Sequence, residues 1–239
     1  MEIKQLVWDS EFFECSIASI HLNSVSENII SLLKNNLYLA SVDLAYVYLT
    51  RPFTFSNVEM LIQSGAILVD EKITFQKQVS KNIIIKPLNV FEYSGKSNER
   101  LLELAYLAGH ESRFNKDERL RSKFKTLYQE WLNNSLKGII ADKVFIYKRN
   151  DEILGMITCG KKNGSGFIGL IATSIDAQGM GVGSELVNAV EYYFQQSEIN
   201  LINVDDAKHL WVGESAVYRV LSEITKIIAP ESLPLPTQF

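Results

Sequence analysis

Gln178-Gly179-Met180-Gly181-Val182-Gly183-Ser184 lies between an apolar run and an amphipathic one, and its reading decides the fold. Upstream, Phe167-Ile168-Gly169-Leu170-Ile171-Ala172 has the composition of a buried strand. Downstream, Val182, Leu186, Val190 and Tyr193 recur at helical spacing, and Val187 and Phe194 widen the stripe. A strand that enters a glycine-rich turn and then a helix points several backbone N–H groups at one spot. The helix N-terminus adds partial positive charge there, so the unit suits a phosphate or pyrophosphate.

Several readings of the turn compete. A dinucleotide fold wants glycines spaced G-x-G-x-x-G, and here they fall as G-x-G-x-G. A nucleoside-triphosphate loop needs a lysine after the last glycine, and Gly183-Ser184-Glu185 supplies none. A tight turn that only requires glycine for positive φ is a further reading. Gln178, Gly181 and Gly183 fill the fixed places of Q/R-x-x-G-x-G/A. In this the stretch resembles the coenzyme A loop of the GCN5-related N-acetyltransferases (GNATs).

Composition narrows the class. The chain has 239 residues, enough for one large or two small domains with an ample core. Its 24 basic and 28 acidic residues give a net charge of -4, and no Lys/Arg block occurs, so nucleic acid is not an expected partner. Cys15 and Cys159 are far apart, and His21, His110 and His209 are scattered without metal-ligand spacing, so no metal is expected. The first residues lack the apolar run of a signal peptide, and the apolar stretch 37–49 is broken by Asp43. A cytoplasmic enzyme with no membrane partner is the expectation.

Along the chain, 1–80 reads as a small α/β unit and 81–239 as a second, larger one. The first is expected to hold a helix over 25–35 and a strand over 44–49. A helix starting near Asn57 should end at Gly65, with strands 66–69 and 73–79 around an Asp70-Glu71 turn. The second unit is expected to open with a strand at 83–87 and a helix over 99–108 closed by Gly109. A long helix over 118–136 and strands at 143–149 and 153–159 then lead to the glycine-loop strand. Two helices followed by an antiparallel run that feeds a phosphate-cradling helix is α+β ordering.

Four stretches narrow the resemblance to the dTDP-fucosamine acetyltransferases, which acetylate dTDP-4-amino-4,6-dideoxygalactose for surface polysaccharide synthesis. They are Trp8-Asp9-Ser10-Glu11-Phe12-Phe13, Ser112-Arg113-Phe114, Tyr128-x-x-Trp131 and Ile168-Gly169-Leu170-Ile171-Ala172. The resemblance implies a GNAT fold preceded by an incomplete GNAT-like half. It implies that the strand before the loop splays from its neighbour at a bulge, freeing backbone groups of Leu170, Ile171 and Ala172 to pair with the pantetheine of acetyl-CoA. Gln178, Gly179, Met180, Gly181, Val182, Gly183 and Ser184 would take its pyrophosphate. Acetyl-CoA is then a co-substrate, the partner is a nucleotide-linked amino sugar, and a homodimer is plausible from the family.

Proton transfer is less sharply marked. Asp70 and Glu71 stand where similar enzymes place an acidic residue as base, although a solvated turn explains them equally well. His110 is the other candidate, because its imidazole suits proton transfer, but it also sits where a helix end would be capped. Arg113 is suited to grip a nucleotide phosphate through two N–H groups, or to pair with Asp117 or Glu118. Phe114 either stacks on thymine or packs. From about residue 205 the chain departs from the family, whose general acid is a tyrosine; Tyr218 stands at roughly the right distance. The departing tail reads either as a divergent helix over 214–228 or as a change of reading frame near residue 204. Three functions remain open: acetyl transfer to a TDP-linked amino sugar, transfer to a peptide or small amine, and acyl-CoA binding without turnover.

Overall fold

The computed structural model describes residues 2–50, 54–82, 84–207 and 219–228. In chain order the elements begin β1 (Ile3–Gln5), α1 (Val7–Phe13), β2 (Ile17–Leu22), α2 (Glu27–Leu39), β3 (Leu44–Thr50), α3 (Phe55–Gln63) and β4 (Ile67–Gln78). They continue β5 (Val90–Glu92), α4 (Glu99–Ala108), α5 (Arg113–Lys116), α6 (Glu118–Arg121), α7 (Phe124–Leu136), β6 (Lys143–Arg149), β7 (Glu152–Lys162) and β8 (Ser165–Thr173). A 3-10 turn, Ile175–Ala177, leads to α8 (Val182–Gln196), β9 (Leu201–Ala207) and β10 (Arg219–Ile228). The chain forms two compact units, Met1–Lys72 with Ser222–Phe239, and Ile73–Leu221.

In the first unit β2 and β3 run parallel, from Ile17–Leu44 to Leu22–Leu49. β1 flanks β2, and residues 223–228 of β10 flank β3, both antiparallel. Ala18, Ile20 and Leu22 on β2 and Ala45, Val47 and Leu49 on β3 share one face of the sheet, and Ser19 and Tyr46 between them are buried as well. The six on the shared face meet Leu33 and Leu37 of α2 and Leu61 of α3 in one buried cluster. Ser26 caps α2, and Thr54 and Asn57 form a capping box at the start of α3. Gly65, at φ +96°, takes the left-handed position just after α3, as its place in the sequence suggests.

In the second unit the strand order is β4 (from Ile73), β9, β8, β7, β6, β5. The β6–β7 hairpin turns on Asn150 and Asp151, both at positive φ. Helix α8 buries Val182, Leu186, Val190 and Phe194 in one cluster with Ile157, Cys159, Ile168 and Ile202 of the sheet. Two glycines let it approach closely. A Cβ on Gly155 would lie 2.8 Å from Val182 Cγ1, and one on Gly166 would lie 2.6 Å from the Phe194 ring. α4 and α7 pack on each other and against the sheet. Gly109 closes α4 where the Tyr128 ring leaves no room for a side chain.

Four local expectations are corrected. Asp70 and Glu71 lie inside the single strand β4, not in a turn. Ile67, Val69, Ile73 and Phe75 keep one two-residue phase on both sides of the acidic pair, which carries neither glycine nor proline. Residues 84–87 are not a strand, and pairing starts at Val90. The long helix is interrupted at Ser122 and Lys123, where Lys123 N–H donates to Leu120 O and a new helical register starts with Leu127 N–H on Lys123 O. The apolar stripe keeps its phase across this break, so periodicity alone does not reveal it. Over 219–228 the tail is a strand, which overturns the divergent helix, one of its two readings; β-branched Val220, Ile224, Thr225, Ile227 and Ile228 suit that pairing.

Candidate functional site

Antiparallel β7 and β8 pair regularly except at one place. Ile157 opposes Ile171 and Cys159 opposes Ile168, so Thr158 alone faces both Gly169 and Leu170. This is a β-bulge. The Thr158 hydroxyl oxygen, fully buried, accepts the Leu170 N–H at 2.8 Å. Gly169 has no side chain at the point where a Cβ would lie 2.8 Å from that hydroxyl. The bulge therefore rests on Thr158 and Gly169 together.

Beyond the bulge β8 parts from its other neighbour. Among the described residues the parallel β8–β9 ladder covers Gly166–Ile202, Phe167–Asn203 and Ile168–Val204. Leu170, Ile171 and Ala172 follow, still bonded to β7 on one side. Strand residues direct their N–H and C=O groups to alternate sides. The groups at 171–173 that turn away from β7 thus border a fork between two diverging strands, where an extended amide-bearing arm can pair with them. Leu170 and Ala172 are buried and Ile171 is half-buried, so the fork has an apolar lining.

The strand then enters the loop. Gly179 and Gly181 have φ of +76° and +82°, which glycine adopts without strain. Gly181 is the N-cap of α8, with no side-chain cap. The first intrahelical bond runs from Glu185 N–H to Gly181 O, so the N–H groups of Val182, Gly183 and Ser184 precede the ladder. They converge with the positive end of the helix dipole, an interaction worth about 0.3–1 kcal/mol for an exposed anion. Gln178, Met180 and Ser184 are exposed around this turn.

The loop is braced from below. Arg100 of α4 donates through Nε to Ile153 O at 2.8 Å and reaches Glu103, Glu152 and Asp176 at 3.1, 3.4 and 3.9 Å. The carboxyl of Asp176, in the 3-10 turn before the loop, is held below its ordinary pKa by the Ser174 hydroxyl, by its own backbone N–H and by Arg100. Arg149, at the end of β6, places a guanidinium nitrogen 3.3 Å from Met180 Sδ.

The other proposed residues fall elsewhere. His110 is exposed just after α4, with Nδ1 2.8 Å from Glu111 Oε1. Glu111 is held below its ordinary pKa by hydrogen bonds from Lys116 and then His110. The Arg113 guanidinium lies 4.3 Å over the Phe114 ring, and buried Phe114 meets Trp131 edge-on. Asp70 and Glu71 belong to β4 in the first unit. Tyr218 lies outside the described residues. Sequence reading passed over Thr158 and Arg100; a lone threonine in the otherwise apolar run 153–159 was the available signal for the first.

Residues 104–211 match the family model described as the acetyltransferase (GNAT) family. A GCN5-related N-acetyltransferase from Sphaerobacter thermophilus is similar in structure, 11% identical over 90% of this chain and 73% of that one, with TM-score 0.51. Another from Kribbella flavida is 11% identical over 90% and 81% of the two chains, with TM-score 0.53. A tandem GNAT protein from the clavulanic acid biosynthesis pathway is 12% identical over 91% and 76%, with TM-score 0.53. No curated protein matches the chain. At such identities the likeness concerns the fold, and the chain has the α+β fold of the GNAT acetyltransferases.

Proposed function

We propose that this chain, whose residues 104–211 match the GNAT family model, transfers an acetyl group from acetyl-CoA to the amine of a TDP-linked amino-deoxy sugar. The observation that carries the donor half is the fork between β8 and β9, opening at the bulge and leading to the bare N-terminus of α8. In this reading the pantetheine amides pair with Leu170, Ile171 and Ala172, and the pyrophosphate takes the N–H groups of the loop from Gln178 to Ser184. The amine nitrogen attacks the thioester carbonyl, the N–C bond forms, the C–S bond breaks, and coenzyme A leaves as a thiol. A base takes one proton from the ammonium before attack, an acid protonates the departing thiolate, and the second nitrogen proton, shed as the intermediate collapses, restores the acid. We assign the base to Asp70 or Glu71 and the acid to Tyr218. Rate then comes from positioning and from donors at the carbonyl oxygen.

The acceptor rests on the likeness of the N-terminal, Ser112-Arg113-Phe114 and Tyr128-x-x-Trp131 stretches to the dTDP-fucosamine acetyltransferases. His110, Arg113 and Phe114 are the residues we assign to it, and the reaction is placed in the cytoplasm. The test is thiol release from acetyl-CoA by the purified chain given dTDP-4-amino-4,6-dideoxygalactose. Release that depends on the sugar supports both halves. Acetyl-CoA binding without sugar-dependent release overturns the acceptor, and failure to bind acetyl-CoA overturns the donor.

A further inference from the structure

The two faces of the sheet differ where β8 and β9 part. On one, Ile168 of β8 and Ile202 and Val204 of β9 are buried among Leu186, Val190 and Phe194 of α8. On the other a cavity of about 580 Å³ opens, bordered by Phe167 and Gly169 of β8 and Asn203 of β9. Side chains alternate along a strand, so Asn203 points away from the face that Ile202 and Val204 fill. Gly169, the first β8 residue beyond the ladder, adds no side chain there. A thioester brought down the fork thus meets packed core on one face and open space on the other. The last rung is Ile168–Val204, and Asn203 stands one residue, about 3.3 Å, behind it.

The Asn203 amide has a fixed direction. β9 lies between β8 and β4, and Gln76 of β4 donates from Nε2 to Asn203 Oδ1 at 2.9 Å. An asparagine amide carries one acceptor oxygen and one NH2 group. With the oxygen tied back toward β4, half-buried Asn203 turns its Nδ2 N–H groups away from that strand, on the side of the fork. Among the described residues those N–H groups have no hydrogen-bond partner.

We propose that Asn203 is a catalytic residue whose Nδ2 donates a hydrogen bond to the thioester carbonyl oxygen, and that Gln76 is the positioning residue that aims it. The inference rests on the acetyl-transfer reading and names one of the donors which that reading requires. As the amine adds, the N–C bond forms and the carbonyl π pair moves onto oxygen, where negative charge grows. As the intermediate collapses, the C=O bond returns and the C–S pair leaves with sulfur. A neutral donor aimed at that oxygen therefore binds the transition state more tightly than the ground state. The amide itself gains and loses no proton, so it duplicates neither the base nor the acid assigned above.

The test is carbon-13 NMR of acetyl-CoA labelled at the thioester carbonyl and bound to the full chain, a readout that needs no acceptor. A hydrogen bond to the oxygen deshields the carbon, so the bound signal should lie downfield of free acetyl-CoA. Asn203→Asp keeps the size and the Gln76 bond, and Asn203→Leu keeps neutrality. Both should move the signal back toward the free position while acetyl-CoA affinity stays within about threefold. Gln76→Glu offers only acceptors, turns the Asn203 amide over, and should abolish the shift with residue 203 intact. With the amino sugar as acceptor, kcat of Asn203→Leu should fall about 10²-fold or more at nearly constant KM for acetyl-CoA. No downfield shift in the wild type, a shift that both Asn203 variants retain, or a Gln76→Glu chain that matches the wild type would each overturn the assignment. A wild-type chain that fails to bind acetyl-CoA would overturn the donor reading and this inference together. An Asn203-dependent shift without sugar-dependent thiol release would uphold Asn203 and remove only the acceptor.

Discussion

Replacing Thr158 by valine removes one oxygen and keeps the β-branched shape. The hydroxyl is fully buried, and its acceptor role toward Leu170 N–H at 2.8 Å is what holds the bulge. Valine leaves that N–H buried without a partner, which costs about 1–3 kcal/mol. A methyl group at 2.8 Å from the nitrogen is also well inside the roughly 3.5 Å of carbon contact, and pushes Leu170 away. A chain of this size loses about 2–4 °C in Tm per kcal/mol, so the Thr158→Val variant should melt roughly 2–12 °C lower. The displacement falls on the backbone groups proposed to pair with pantetheine, so acetyl-CoA affinity should drop by about tenfold or more. Thr158→Ser, which restores the acceptor, should recover most of both losses. The assays are a melt followed by circular dichroism and calorimetric titration with acetyl-CoA. A valine variant that melts with the wild type and binds acetyl-CoA equally would refute the idea that this hydroxyl shapes the fork.

Gly155→Ala would set a methyl 2.8 Å from Val182 Cγ1 and 3.0 Å from both Leu186 Cδ1 and Ala172 O; lifting the first turn of α8 should cost about 1–3 kcal/mol in a denaturant melt and weaken acetyl-CoA binding. Burial pushes the Cys159 thiol above its ordinary pKa, with Asp142 adding to the effect. A thiol reagent should therefore modify half-buried Cys15 in the native chain, and Cys159 only after unfolding. Its native pKa lies above the unfolded one, so its stabilising contribution is complete below the unfolded value, near 8.5, and is lost as pH rises; an alkaline series of melts reads this. Burial and then Asp142 hold the Tyr193 phenol above its usual pKa, so Asp142→Asn should lower the midpoint of its ultraviolet titration.

Elements specified locally were legible. Gly109 ends α4 and residues 143–149 form β6 as periodicity and glycine placement suggest, because each signal lies within a few residues of the structure it controls. The glycine loop was legible for the same reason: positive φ at Gly181 and the uncapped first turn of α8 are local properties. The bulge was legible through the family resemblance, but the side chain that anchors it was not. Thr158 stands twelve positions before the N–H it accepts, and no spacing rule links it to Leu170. β4 misled because Asp70-Glu71 is polar enough for a turn and puts Glu71 in the apolar phase, yet it does not interrupt the backbone. The bracing of the loop by Arg100, paired with Glu152 and Asp176, likewise exists only once three segments have come together.

This difference in legibility has a physical consequence that can be measured. The proposed donor site is built from backbone groups, so its affinity should answer to the glycines and to Thr158. Thr158 shapes the fork, whereas Gly155 lets the first turn of α8 approach the sheet. Combining Thr158→Val with Gly155→Ala, and reading acetyl-CoA affinity in both single variants and in the double one, tests whether the two act separately. If they do, their losses should add within about 0.5 kcal/mol. A coupling above about 1 kcal/mol, under conditions where each variant is folded, would mean that the bulge and the first turn of α8 move as one unit, for which the approach of a Gly155 side chain to Ala172 O at 3.0 Å gives the route.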